Sequence, residues 1–125
     1  MTPLKMAGCI LLMAAVELHA ADKVKPLLQQ MPQKEMSRTN PYESQPAAAR
    51  AGRKLFIRQC SSCHGQQAQG AERAPSLVSQ KLSETPPGAI FWVLRNGSLL
   101  HGMPSFSHLP EPQRWQIVTY LKTLQ

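Results

Sequence analysis

The chain has 125 residues, of which 42% are hydrophobic, and this length suits one small domain and excludes a second. Fourteen lysines and arginines face seven acidic residues, which gives a formal net charge of +7. Such a balance is typical of proteins that bind nucleic acid or dock on acidic partners. Because the sequence has no basic helix face with interleaved aromatic residues, nucleic acid binding is not expected.

The first residues have the pattern of an export signal. Lys5 precedes an apolar run over residues 7–16, whereas a membrane-spanning helix needs about 20 apolar residues. The small residues Ala20 and Ala21 follow. The pattern predicts a signal peptide over residues 1–21, with cleavage near Ala20 or Ala21. The alternative is an uncleaved segment that anchors the protein to a membrane.

Residues 22–45 differ in composition from the rest of the chain. Prolines at positions 26, 32 and 41 interrupt any helix, and glutamines are frequent. The composition predicts a solvated linker or arm, more coil than helix. Such an arm could tether the domain to a partner or membrane, or lie along its surface.

The cysteines carry the main chemical signal. Cys9 leaves with the signal peptide, and the remaining two, Cys60 and Cys63, are followed at once by His64. This Cys-x-x-Cys-His spacing is typical of c-type haem attachment: the thiols bond to one edge of the porphyrin and the imidazole ligates iron. A thioredoxin-type dithiol would need a βαβ context. A zinc site would need four ligands, with only the distant His101 and His108 to supply them.

Helical patterns flank this motif. Residues 47–59 have high helix propensity apart from Gly52, with Ser44 as the expected N-cap and Pro46 in the first turn. The pattern over residues 112–124 predicts an amphipathic last helix whose apolar face contains Ile117, Tyr120, Leu121 and Leu124, with an aromatic side chain over Gly52. Between them the sequence predicts a loop over 65–73 and a short helix over 87–95, closed by Asn96-Gly97 as a C-cap.

Met103 is the second candidate iron ligand. It lies between Gly102 and Pro104, a long connection after the haem motif, so the chain can reach the opposite face of the ring. A thioether opposite histidine raises the reduction potential, as suits an electron carrier. His101 and His108 are the competing ligands.

These residues together resemble class I cytochrome c over residues 46–125. The resemblance implies a small all-α fold in which the N- and C-terminal helices cross around one covalent haem c. It also implies that Gly52 and Phe56 lie at the helix contact, that the Pro75 carbonyl accepts a bond from His64, and that Leu77 packs on haem. A domain of this size has a marginal core, so the apo chain is expected to fold poorly. The side chains expected to pack on the macrocycle are Leu55, Phe56, Leu77, Phe91, Leu94, Phe106 and Leu121.

The sequence therefore predicts a one-haem periplasmic carrier of single electrons that is not itself an enzyme. The expected partners are periplasmic dehydrogenases or a terminal oxidase with an acidic docking surface. Two alternatives stay open. One is a haem subunit fixed to a dehydrogenase or oxidase complex, and the other is a ligand-binding or peroxidase-like haem protein with an open distal site.

Overall fold

The computed structural model describes residues 27–124. The predicted signal peptide, the anchor alternative and the first part of the predicted arm lie outside the described residues. Within residues 27–124, no helix combines the length and the apolar character needed to cross a bilayer.

The described residues form six α-helices and two 3₁₀ turns, and their only β pairings are two isolated bridges. This confirms the predicted all-α fold. The 3₁₀ turns cover Leu27–Gln30 and Leu99–His101. The α-helices are α1 (Gln33–Met36), α2 (Pro46–Gln59), α3 (Ser61–His64), α4 (Gln80–Glu84), α5 (Pro87–Asn96) and α6 (Glu111–Leu121).

Helices α2 and α6 form the main helix pair, and Gly52 lies at their contact. A Cβ atom at Gly52 would collide with the backbone carbonyl oxygen of Gln116 and lie 3.0 Å from Cβ of Tyr120. The ring of Tyr120 also packs 5.4 Å from that of Phe56, between centroids. The prediction that Gly52 touches the last helix is confirmed, and the missing side chain lets the two backbones approach closely.

The three longest helices begin with proline in the first turn and without a side-chain cap. Proline suits this position because its fixed φ is helical and its missing N–H has no intrahelical partner there. The prediction of Ser44 as N-cap is wrong. Gln45 precedes α2 without a side-chain cap bond, and Ser44 takes a left-handed φ of 59°. The predicted C-cap at Gly97 is confirmed by its N–H bond to the Val93 carbonyl, 2.7 Å long.

The described part of the arm, residues 27–45, packs on α5 and α6 instead of forming solvated coil. A Cβ atom at Gly88 of α5 would collide with the carbonyl oxygen of Glu35, so the arm's backbone lies directly on this helix. The buried Asn40 donates a 2.9 Å hydrogen bond to the Thr119 hydroxyl. The arm was predicted either to tether the domain or to lie along its surface, and residues 27–45 lie along the surface of the domain. The boundary at residue 46 stays a prediction.

Arginine and aromatic side chains fasten the arm at the start of α6. The Arg38 guanidinium lies 4.5 Å from the centroid of the Phe91 ring and 2.5 Å from the Glu111 carboxylate. Phe91 stacks on Trp115 at a centroid distance of 4.0 Å. Arg114 lies 4.8 Å from the same Phe91 ring, and its buried Nε and Nη1 have no hydrogen-bond partner among residues 27–124. Phe91 therefore packs on Trp115 and two guanidinium groups, and its packing on a macrocycle stays a prediction.

Helix α6 spans Glu111–Leu121 rather than the predicted 112–124. The predicted inward face is confirmed, since Ile117, Tyr120 and Leu121 are buried. The helix is not amphipathic, however, because Trp115, Val118 and Thr119 are buried as well. The arm contributes to this burial, because its residues Arg38 and Asn40 contact Trp115 and Thr119.

Candidate functional site

Cys60, Cys63 and His64 lie on one helical turn that continues from α2. The amide of Cys60 bonds to the Phe56 carbonyl over 2.8 Å, and the amides of Cys63 and His64 both bond to the Cys60 carbonyl. The two thiols are free and stand three residues apart, so they project from the same helix face. The backbone thus presents two thiols and one imidazole in a fixed order along a single turn.

The two thiols differ in their surroundings. Cys60 is buried and belongs to the hydrophobic core, whereas Cys63 is exposed. Burial and the neighbouring Cys63 raise the pKa of Cys60 from 9.0 to about 11. Cys60 is therefore an uncharged thiol at neutral pH, as an apolar environment requires.

The imidazole of His64 is oriented by a backbone carbonyl. Its Nδ1 lies 3.0 Å from the Pro75 oxygen, and because a carbonyl oxygen only accepts, Nδ1 carries the proton. In a neutral imidazole with this tautomer, the lone pair of the second nitrogen, Nε2, can bind a metal ion. The predicted pairing of His64 with Pro75 is therefore present in the structure.

The loop after His64 is folded back so that Pro75 reaches the imidazole. The Gly70 amide donates to the His64 carbonyl over 2.7 Å, and the Leu77 amide donates to the carbonyl of the fully buried Ala68 over 2.8 Å. These two bonds fix both ends of the returning segment. Leu77 itself is half-buried against the hydrophobic core.

Met103 closes a short hairpin between α5 and α6. Its backbone exchanges two hydrogen bonds with Ser98, of 2.9 and 3.0 Å. The side chain of Met103 is half-buried and packs against the core cluster that also contains Cys60. The fold thus brings Met103, Leu77 and Cys60 to the same hydrophobic cluster, although they are far apart in sequence.

The two competing histidines have other neighbours. His101 is exposed, with its Nδ1 2.8 Å from the Ser98 hydroxyl. His108 is also exposed, 6.0 Å from the Phe106 ring between centroids. Across residues 27–124 no group of three or more His, Cys, Asp or Glu side chains is placed to hold a metal ion. The zinc alternative therefore has no ligand set in the described part of the chain.

Sequence reasoning missed the groups that hold the site's loops. The hydroxyl of Ser105 donates to the Arg95 carbonyl over 2.6 Å, and Phe106 donates from its amide to the Leu94 carbonyl. Both bonds attach the segment after Met103 to the end of α5. No local sequence pattern predicts these two bonds, because they depend on where the end of α5 lies relative to the segment after Met103.

Comparison with known proteins places the chain among haem proteins. A family model described as "Cytochrome C oxidase, cbb3-type, subunit III" matches residues 47–121. Among solved structures, cytochrome CL from the marine methylotrophic bacterium Methylophaga aminisulfidivorans MPT matches with a TM-score of 0.56 and 24% identity. That match covers 66% of this chain and 59% of the other, so the chain spans less than two thirds of that structure, and the likeness shows the fold. No curated protein matches the chain.

Proposed function

The chain belongs to the c-type cytochrome domain family described as subunit III of cbb3-type cytochrome c oxidase, and from this we propose that it is a one-haem carrier of single electrons with His64 and Met103 as axial ligands. Members of this family hold haem covalently and use it for electron transfer. The observation that carries the proposal is the helical turn with two free thiols and an imidazole whose Nδ1 faces the Pro75 carbonyl.

The residues of this turn fit a covalent haem. Cys60 and Cys63 offer two free thiols on one helix face, which suits two thioether bonds to one porphyrin edge. Haem supplies a one-electron couple of iron when it is bound. His64 would hold iron through Nε2, and the hydrogen bond from Nδ1 to the Pro75 carbonyl would keep the ring from rotating and make Nε2 a more basic ligand.

Met103 is proposed as the ligand on the opposite side of iron. Its half-buried side chain belongs to the same hydrophobic surroundings as Cys60 and Leu77, whereas His101 and His108 are exposed. The paired backbone of Ser98 and Met103 holds the loop in place. A soft thioether stabilises the reduced metal, which favours a carrier over an oxygen-activating site.

Export to the periplasm and transient docking complete the proposal. The signal peptide predicted over residues 1–21 supports export, and the net charge of +7 favours a redox partner with an acidic surface, such as a dehydrogenase or a terminal oxidase. The description of the family names an oxidase subunit, which supports the second candidate, a haem subunit fixed to such a complex. Gel filtration of the protein from native soluble and membrane fractions distinguishes a carrier that docks transiently from a haem subunit fixed to a complex.

The distal ligand is tested with carbon monoxide. We expect the reduced wild-type protein to resist carbon monoxide, because both axial positions are filled. Met103→Ala should bind it readily and keep its covalent haem, since Cys60 and Cys63 are unchanged. The oxidised variant should also lose the weak far-red absorption of a sulfur–iron bond.

His101→Ala is the matched control, because its side chain lies only two residues away on the same hairpin. It should leave the spectrum and the carbon monoxide resistance of the wild type intact. If His101→Ala opened the site and Met103→Ala did not, the distal role would pass to the histidine. A wild-type protein that binds carbon monoxide at once would favour the open-site alternative.

A further inference from the structure

The carboxyl end of α5 is bonded to the segment that follows Met103. The last four carbonyl groups of an α-helix have no partner within the helix. In α5 the carbonyl of Leu94 accepts a 2.8 Å hydrogen bond from the Phe106 amide, and that of Arg95 accepts a 2.6 Å bond from the Ser105 hydroxyl. Two residues just after Met103 therefore supply the partners that this helix end lacks.

The loop that carries Met103 is fixed on both sides of this residue. Met103 itself exchanges two backbone hydrogen bonds with Ser98. After it, the loop backbone lies directly against Gly97, where a Cβ atom would come within 2.7 Å of the Pro104 carbonyl carbon and of the Ser105 nitrogen. Of the two bonds from the segment after Met103 to α5, only that of Ser105 comes from a side chain. A substitution can therefore remove it while the backbone bonds stay.

The hydroxyl of Ser105 has a defined orientation. It carries a single proton, and the Arg95 carbonyl oxygen, at 2.6 Å, is its nearest acceptor. Its oxygen accepts a 3.2 Å hydrogen bond from the Ser107 amide. The side chain is half-buried. Because the hydroxyl donates to one neighbour and accepts from another, it holds the loop to the helix end and does not simply face water.

We propose that Ser105 is a positioning residue for the distal ligand, because its hydroxyl ties the chain two residues after Met103 to the end of α5. This inference rests on the proposed function, in which the Met103 thioether binds iron. A soft thioether is poorly matched to oxidised iron, so its place on Fe(III) depends on how firmly the loop holds it there. Loosening the loop removes this pre-organisation and lets an outside ligand compete.

Imidazole competition on the haem-loaded full chain tests the proposal. Added imidazole must displace the thioether from oxidised iron, so its apparent dissociation constant falls as the loop opens more often. Loss of the weak far-red absorption of the sulfur–iron bond follows the titration. Ser105→Ala should tighten imidazole binding about fivefold, the size expected for one lost hydrogen bond. Ser105→Thr keeps the hydroxyl and should keep the wild-type constant.

Ser107→Ala is the matched control. It removes a hydroxyl of the same loop that lies 3.1 Å from the Ser105 hydroxyl but makes no bond to α5 within residues 27–124. This variant should bind imidazole as the wild type does. An equal effect in Ser107→Ala, or wild-type binding in Ser105→Ala, would overturn the proposal.

A double substitution separates positioning of the ligand from a general loosening of the fold. Without the thioether, Ser105 has no ligand to hold, so Ser105→Ala should leave the imidazole constant unchanged when it is combined with Met103→Ala. An effect of the same size in that background would overturn the proposal, because the hydroxyl would then act on the site without Met103.

The same titrations distinguish failure of this inference from failure of the proposed function. A wild type that binds imidazole as tightly as Met103→Ala would contradict Met103 as a ligand, and the role of Ser105 would fail with it. A wild type that resists imidazole, together with a Ser105→Ala variant that resists it equally, would refute the role of Ser105 alone.

Discussion

A single helical turn determines how Cys60 and Cys63 are placed relative to each other. Their spacing in sequence is enough to predict the attachment site, because hydrogen bonds between near neighbours build the turn that carries both thiols. The contact between His64 and Pro75 spans eleven residues, and no local pattern describes the course of that loop. It was expected only through the resemblance to a known family.

At this scale the first prediction concerns covalent haem. Haem should stay with the wild-type polypeptide through acid-acetone extraction and denaturing electrophoresis, because thioether bonds survive both. Changing Cys60 and Cys63 together to serine should leave a chain without covalent haem that accumulates poorly, since a core of this size needs the haem to fold. Haem staining of gels measures the first effect and immunoblotting the second. Haem that is extracted from the wild type would contradict the assignment of this site.

At the level of secondary structure, α2 and α5 were predictable and the arm was not. Helix propensity, the proline in the first turn of α2 and the Gly97 C-cap of α5 are local signals, so the predicted bounds of α2 and α5 lie within a residue of the observed ones. Prolines and glutamines made residues 22–45 look like solvated coil, but Arg38 and Asn40 attach the described part through contacts more than 70 residues away in sequence. The same contacts explain why α6 is buried on a second face.

The contact between α2 and α6 predicts the effect of a substitution at Gly52. Gly52→Val would force side-chain atoms into the Gln116 carbonyl, so the helices must separate, at a cost of about 1–3 kcal/mol in the free energy of unfolding. Chemical denaturation of the haem-loaded protein measures this cost. Ala47→Val is the control, because it adds the same β-branched side chain at an exposed position of the same helix. An unchanged unfolding free energy in Gly52→Val would mean that the two helices do not meet at this residue.

The arm gives a prediction about proteolysis. Trypsin sites at Lys34 and Arg38 should be protected in the wild type, because Arg38 is held by Glu111 and by the Phe91 ring. Gly88→Val should expose them, since the new side chain would meet the carbonyl oxygen of Glu35 and lift the arm from α5. Mass spectrometry of timed digests follows both cuts. Cleavage at the exposed Arg73 should proceed equally in both proteins and serves as the internal control. Rapid wild-type cleavage at Arg38 would instead support the solvated arm that the sequence alone suggests.

For the whole molecule, fold and charge come from different parts of the sequence. The hydrophobic core, with Phe56, Ile117 and Val118 almost fully buried, holds the loops that carry Pro75 and Met103. The exposed lysines and arginines contribute little to that core, and their number was evident from composition. Their arrangement on the surface was not, because it depends on how the helices and loops come together.

The net charge gives the last prediction, which concerns encounter with charged redox reagents. Hexacyanoferrate, an anion, should exchange electrons with the protein quickly at low salt, and its rate should fall as ionic strength rises to about 0.1 M, where the Debye length is about 10 Å. Hexaammineruthenium, a cation, should show the opposite slope, because salt screens the repulsion from a protein with a net charge of +7. Stopped-flow absorbance of the haem measures both rates, and the two reagents act as controls for each other. Rates that ignore ionic strength for both would place the positive charge far from the site of electron exchange, and an apolar contact would then have to guide docking alone.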